Sequence, residues 1–261
     1  MAPMTVAPSP EEIYERSEEE GRRRLTLSLL DQVATGFIAG VTIVFGIVAL
    51  GVVQALVEPE FGPELAKLGG ALAFGIGLVF LIVGRAELFS ENFFGPVAAA
   101  IDARTGGTWM RLLRLWGVIL VLNLVGGAVL MAVLVVDGAL PQESKSALVK
   151  VAEEIVAKEW PATLARAVLA GALITLLSYM LKAVNTMTAR ILVAYMVGVF
   201  LALGPFDHVV VSALHVLFGV WVSDALTYAD VGINIVLSTI GNLVGGLLLI
   251  TLTHTAQVKS G

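Results

Sequence analysis

Five ionisable residues, Arg85, Glu87, Glu91, Asp207 and His208, stand inside stretches that are otherwise apolar. The first three belong to the run Gly84-Arg85-Ala86-Glu87-Leu88-Phe89-Ser90-Glu91-Asn92 and the last two to Gly204-Pro205-Phe206-Asp207-His208. Charged groups in a hydrocarbon setting are costly and mark either a path for ions and protons or a pair that neutralises itself. Histidine adds a specific capability, since small changes of surroundings move its proton on or off near neutral pH. The chemistry on offer is the handling of a proton or a small charged solute inside an apolar layer. Arg85 and Glu91 read equally well as a structural ion pair. His215 follows His208 by seven residues and shares its helical face about 10 Å away, so it reads first as a packing residue and second as part of an outer vestibule. His254 reads as a solvated residue at the end of the chain's last apolar run. Three histidines this dispersed, with no cysteine anywhere, form no metal site.

Two amides join this set. The pentapeptide Asn-Leu-Val-Gly-Gly occurs at Asn123–Gly127 and again at Asn242–Gly246. The repeat offset of about 119 residues also carries Phe89 onto His208. Paired glycines let helix backbones approach closely. Asn123 and Asn242 then either brace neighbouring helices or hydrogen-bond a permeating solute.

The elements that must position these residues follow from composition. The chain is 57% hydrophobic and 14% charged, far from the roughly 25% charge of an ordinary soluble domain, and its mean hydropathy is +0.91. Its apolar residues fall into six runs, at roughly 32–57, 69–100, 115–136, 162–183, 191–221 and 232–254, each long enough to span a bilayer. The second and fifth exceed what a hydrocarbon core of about 30 Å requires, so they must tilt or break, and Gly84 and Gly204-Pro205 are natural break points. Freed backbone groups cannot face lipid, so each break should line a protein interior. Short helices should restart at about Ser90 and about His208, with their positive N-terminal ends toward mid-membrane.

A duplicated unit of three spans must insert its second copy upside down. The expected fold is therefore an all-α membrane protein with six transmembrane helices in an inverted 3+3 repeat, spans 2 and 5 broken at mid-membrane. Arg22, Arg23, Arg24, Arg104, Arg111, Arg114, Arg190 and Lys259 fall on one side, which places both termini in the cytoplasm. Residues 1–25 read as a cytoplasmic amphipathic, acidic segment, with Ser9 as N-cap, Pro10 at N1 and Glu12 closing a capping box; residues 26–258 read as the transmembrane domain. The region 137–159 reads as a loop.

These residues together resemble the formate/nitrite transporter family over about residues 25–258. The resemblance rests on the two breaking segments, on Asn123–Gly127 and on Ile240-Gly241-Asn242; Arg114-Leu115-Trp116-Gly117-Val118 and Leu88–Asn92 point to its YfdC-like branch. It implies an aquaporin-like fold in a homopentamer with one pore per protomer. It also implies residue roles: His208 as the central pore histidine, Ser90 facing it, Asn242 facing the pore, and Phe74, Leu78, Phe89 and Leu201 as apolar constrictions. Thr175 stands where formate channels carry an asparagine, Leu201 replaces an aromatic, and Lys158 is an off-register candidate for a vestibule lysine.

The expected function is pH-linked transport of a small monovalent anion, or its weak acid, across the inner membrane. The pathway residues are His208, Ser90, Asn242, Thr175, Asp207 and Glu87; the partners are the anion, a proton and the bilayer. A channel for small neutral solutes is the alternative, weakened by the absence of the paired Asn-Pro-Ala motifs of aquaporins. An enzyme is disfavoured because no nucleophile, metal or nucleotide motif occurs, so no cofactor is expected. No basic stripe suggests nucleic acid.

Overall fold

The computed structural model describes residues 7–260, and among them only helices and their connections occur. In chain order these are α1 (Pro10–Leu25), α2 (Leu29–Val83), α3 (Gly95–Ala103), α4 (Gly106–Val135), α5 (Gln142–Val156), α6 (Trp160–Ala183), α7 (Met187–Leu203), α8 (Val209–Val222), α9 (Tyr228–Val244) and α10 (Leu252–Lys259). A short 3-10 turn, Phe89–Phe93, precedes α3, and a π-helical stretch, Gly245–Thr251, joins α9 to α10.

α2 is 55 residues long because the first apolar run continues into the second through Glu58-Pro59-Glu60. The reversal is confined to Gly62, whose φ of 78° lies where side chains are disfavoured. Pro63 then opens the returning arm, where its missing N–H does no harm. The two arms pack so closely that a Cβ on Gly46 would sit 3.0 Å from the Cα of Gly77.

Both long runs break where polar residues interrupt them. α2 ends at Val83 and α7 at Leu203. Neither break uses glycine for a left-handed backbone: Gly84 is right-handed helical and Gly204 is extended. The positive φ, 54°, falls on Arg85 instead. Helix α8 restarts at Val209 with His208 as N-cap, close to expectation. After the first break the chain makes only the 3-10 turn, and the α-helix resumes at Gly95, later than the expected Ser90.

α5 is an addition to the expected elements. Its apolar residues Ala147, Leu148, Val151, Ala152 and Ile155 share one face, and Leu148 packs into the space left by Gly51. It lies against α2 and α8.

α1 opens with the expected capping box, Ser9 Oγ accepting from the Glu12 N–H at 3.3 Å and Glu12 Oε2 from the Ser9 N–H at 3.1 Å. Its inner face, Ile13, Tyr14, Ser17, Gly21 and Leu25, docks on α3, α6 and α10. Residues 1–6 of the expected N-terminal segment lie outside the described residues. His254 is not simply solvated: its ring stacks on Tyr179 at 4.0 Å and meets the edge of Phe94.

Large apolar side chains on the long helices, among them Leu30, Leu56 and Met110, face outward. Four helices, including the continuous stretch Tyr228–Lys259, are long and apolar enough to cross a membrane, and α7 and α8 are shorter apolar helices. A lipid environment is what such a surface requires.

Candidate functional site

Each break is held by one asparagine in the same manner. Asn123 Oδ1 accepts from the Phe89 N–H at 2.9 Å, and its Nδ2 donates to the carbonyls of Glu87 and Gly36 at 3.0 and 2.9 Å. Asn242 Oδ1 accepts from the Val209 N–H at 3.0 Å, and its Nδ2 donates to the carbonyls of Asp207 and Ala167 at 3.1 and 2.8 Å. In both cases a glycine one turn along the partner helix admits the asparagine: a Cβ on Gly40 or on Gly171 would lie 2.1 Å from the Asn123 or the Asn242 carbonyl oxygen. Buried amides and freed backbone groups therefore satisfy one another. Both amides are fully occupied with backbone, which is the bracing role of the two considered.

These bonds also correct the register. They match Phe89 with Val209 and Glu87 with Asp207, so the counterpart of His208 is Leu88 rather than Phe89. The pentapeptide offset fails at the break by one residue.

The two breaks meet at the middle of the molecule. Ser90 Oγ lies 2.5 Å from His208 Nε2, and both side chains are buried. The His208 Nδ1 has no partner among the described residues. Asp207, beside it, accepts from Lys158 Nζ at 3.0 Å on Oδ1, while its Oδ2 stands 3.7 Å from Arg166 Nε. Lys158 thus reaches the site despite its displaced position in the sequence. Burial pulls its ammonium below the usual lysine value, against the attraction of Asp207.

Glu87 is clamped from the other end of the molecule. Arg24 Nε lies 3.0 Å from Oε2 and Arg23 Nη2 lies 3.3 Å from Oε1. Arg24 also donates to the Glu91 carbonyl and to Asn92 Oδ1, both at 3.3 Å. Burial alone would raise the Glu20 carboxyl, but Arg23, Arg24 and Lys182 outweigh it and hold Glu20 at about 2. Glu91, fully inside, turns its carboxylate to the Leu88 N–H at 3.4 Å.

A cavity of about 330 Å³ leads to His208 from the end that carries the α2 reversal and α5. Phe74 and Leu201 line its depth with Asp207 and His208. Its charged lining is balanced: Lys67, Lys150, Lys158 and Arg166 face Glu58, Glu64, Glu154 and Asp207. Leu78, Phe89, Ser90, Thr175, Asn242 and Glu87 do not line it. Leu78, Phe89 and Thr175 are buried, Phe89 against Phe93, and the Thr175 hydroxyl has no partner among the described residues. Arg166 escaped the sequence reading although it lies within an apolar run, where an ionisable residue is itself the signal. Arg23 and Arg24 read only as topology markers, and α5 as a loop.

Two interrupted helices whose ends meet at a buried hydroxyl–imidazole contact, below an open cavity, define an all-helical membrane protein of the channel and transporter type. The formate/nitrite transporter family model matches residues 11–256, and the chain belongs to that family. It is similar to the inner membrane protein YfdC of Escherichia coli (strain K12), with 26% identity over 249 residues, covering 95% of this chain and 78% of that protein. Among solved structures, an FNT family ion channel superimposes with a TM-score of 0.81 at 20% identity, covering 94% of this chain and 98% of the other. A pentameric formate channel with formate bound superimposes with a TM-score of 0.73 at 19% identity, covering 88% and 97%. The fold is that of these channels.

Proposed function

We propose that the chain conducts a small monovalent anion, or the weak acid the anion forms, across the inner membrane along a path past His208 and Ser90. The observation that carries this reading is the Ser90–His208 contact at the floor of an open cavity, in a chain of the formate/nitrite transporter family. The solute enters the cavity, passes between Phe74 and Leu201, meets His208 and Ser90, and leaves past Leu78 and Phe89, with Thr175 and Glu87 further along.

Moving a bare charge through the apolar rings costs on the order of tens of kcal/mol in an idealised apolar medium, so the solute crosses as its uncharged acid. His208 supplies or orients the proton; its imidazole suits both roles. Asn242 and Asp207 act by fixing the start of α8, and Asn123 and Glu87 do the same for the first break. The matched hydrogen bonds of Asn123 and Asn242 support two inverted three-span halves, six spans in all, in an aquaporin-like arrangement. Residues 26–258 form this unit, with α1 as its inner cover. The arginine-rich side supports cytoplasmic termini. The likeness to a pentameric channel supports a homopentamer, each protomer carrying its own path.

Purified protein in liposomes takes up formate, and the rate rises as external pH falls. His208→Ala lowers that uptake more than about tenfold, the scale of a lost proton-handling group. Uptake unchanged by that substitution, or independent of pH, overturns the proton role.

A further inference from the structure

One cavity-lining group has no part in the mechanism above. The face of α8 turned to the cavity presents His208, Val211, Ser212 and His215. The Ser212 hydroxyl is engaged within the protein, at 2.9 Å from the His208 carbonyl and 2.8 Å from Asn234 Oδ1. His215 is different. It is 97% buried (3% exposed), its Nδ1 lies 2.9 Å from the Val211 carbonyl, and its Nε2 has no partner among the described residues.

The contact with Val211 fixes the tautomer. A carbonyl oxygen only accepts, so Nδ1 carries the proton and the neutral ring keeps a lone pair on Nε2. His215 therefore offers the cavity an acceptor. Asp207 Oδ2, a second acceptor without a hydrogen-bond partner, lies deeper in the same cavity. The charges around them come from every wall: Glu58, Glu64 and Lys67 of α2, Lys150 and Glu154 of α5, Lys158, Arg166 of α6, and Asp207 with His208 before α8; they balance and provide no net attraction for an anion. A bare carboxylate brings only acceptors and meets the Nε2 lone pair unfavourably. A proton-bearing acid brings the donor that Nε2 lacks. An anion binds equally well if the ring takes up a proton, and both routes give one complex with a single proton shared between ring and solute.

We propose that His215 is a solute-binding residue of the outer cavity, holding a small weak acid in its proton-bearing form about two helical turns before His208. The assignment rests on the transport reading for its ligand class, but its test does not need transport. Unfolding of the purified protein is followed with about 100 mM sodium formate against the same concentration of sodium chloride, at about pH 5 and about pH 7.5. Formate raises the unfolding temperature by about 3 °C at the lower pH and by less at the higher. His215→Asn keeps a donor for Val211 and deletes the group at Nε2, and it abolishes the rise. His215→Gln places an amide oxygen near the Nε2 position and keeps at least about half of the rise. A rise that persists in His215→Asn, or no rise in the unsubstituted protein, overturns the assignment. Formate-dependent stabilisation that obeys these substitutions in a protein giving no uptake leaves His215 as a binding residue and refutes the transport reading instead.

Discussion

Leu88 and His208 hold corresponding places, each immediately before a backbone N–H captured by an asparagine. The surroundings of the two breaks match in kind: an amide on three backbone groups, a glycine that lets it approach, and a buried acid held by two cations. The finishing chemistry does not match. The second break ends directly in α8 with a histidine at the N-cap and an open cavity above it. The first runs through a 3-10 turn that presents Ser90, and the side chains of α1 close over its acid. The shared parts satisfy backbone groups that lipid cannot, a requirement identical in both halves. In the proposed path the unshared parts carry the solute chemistry, and one titratable ring at the centre needs no duplicate.

The largest effect expected from this comparison comes from the amides. Asn123→Ala and Asn242→Ala each leave one N–H and one break carbonyl (Phe89 with Glu87, Val209 with Asp207) buried without a partner, while the Gly36 and Ala167 carbonyls stay bonded within their helices, a loss of about 3 kcal/mol. Unfolding in detergent should show equal destabilisation in the two variants, because the bonds lost are alike. Uptake should separate them, with Asn242→Ala the more damaging, since the groups it releases flank His208. Equal uptake, or unequal stability, breaks the claim that scaffold and chemistry are divided in this way.

Much of this was legible in the sequence because the informative residues are local departures from an apolar background. Gly84–Asn92 and Gly204–His208 are polar where hydrocarbon was due, and Asn123 and Asn242 repeat verbatim. The Ser9–Glu12 capping box is a short-range signal of the same kind. What stayed hidden depends on contacts distant in sequence or on registers that slip. Lys158 and Arg166 reach Asp207 only after α5 and α6 fold, and Arg24 reaches Glu87 only after α1 docks. The one-residue slip between Phe89 and Val209 reflects unequal spacing, 34 residues from Phe89 to Asn123 against 33 from Val209 to Asn242. α5 was invisible because its apolar face is interleaved with charges, the pattern of a helix half in contact with protein rather than with lipid.

The inner clamp gives a smaller effect with a defined sign. Glu20 sits at about 2 in the folded chain against an ordinary glutamate value of 4.5. Its folded value is depressed, so its contribution is full above about pH 4.5 and is lost as pH falls through about 2. After screening by solvent at a partly exposed site, that contribution is about 1 kcal/mol. Tryptic cleavage at Arg22 and Arg23 should serve as the measure of α1 docking after brief exposure to acid. Cleavage increases with acid exposure in the native sequence and is already raised, and flatter with pH, in Glu20→Gln. The second break has no such dependence on α1, so deleting the acid sensitivity should leave the Lys158–Asp207 contact intact.

The smallest effect distinguishes the breaks by backbone alone. Arg85 adopts a φ of 54°, whereas Gly204 at the other break is extended and has no such requirement. A side chain in the left-handed region costs about 1 kcal/mol, part of which is returned on replacement by glycine through the looser unfolded chain. Arg85→Gly should therefore raise the unfolding temperature slightly, by about 1–2 °C, with uptake unaltered. At Gly204, the glycine that ends α7, the sign reverses for a steric reason. A Cβ on Gly204 would stand 2.2 Å from the Phe206 ring, so Gly204→Ala forces that ring away from the cavity it lines and lowers stability. A fall in unfolding temperature for Arg85→Gly would mean that the Arg85 side chain holds the first break together. The two breaks would then differ in what stabilises them as well as in what they present to the solute.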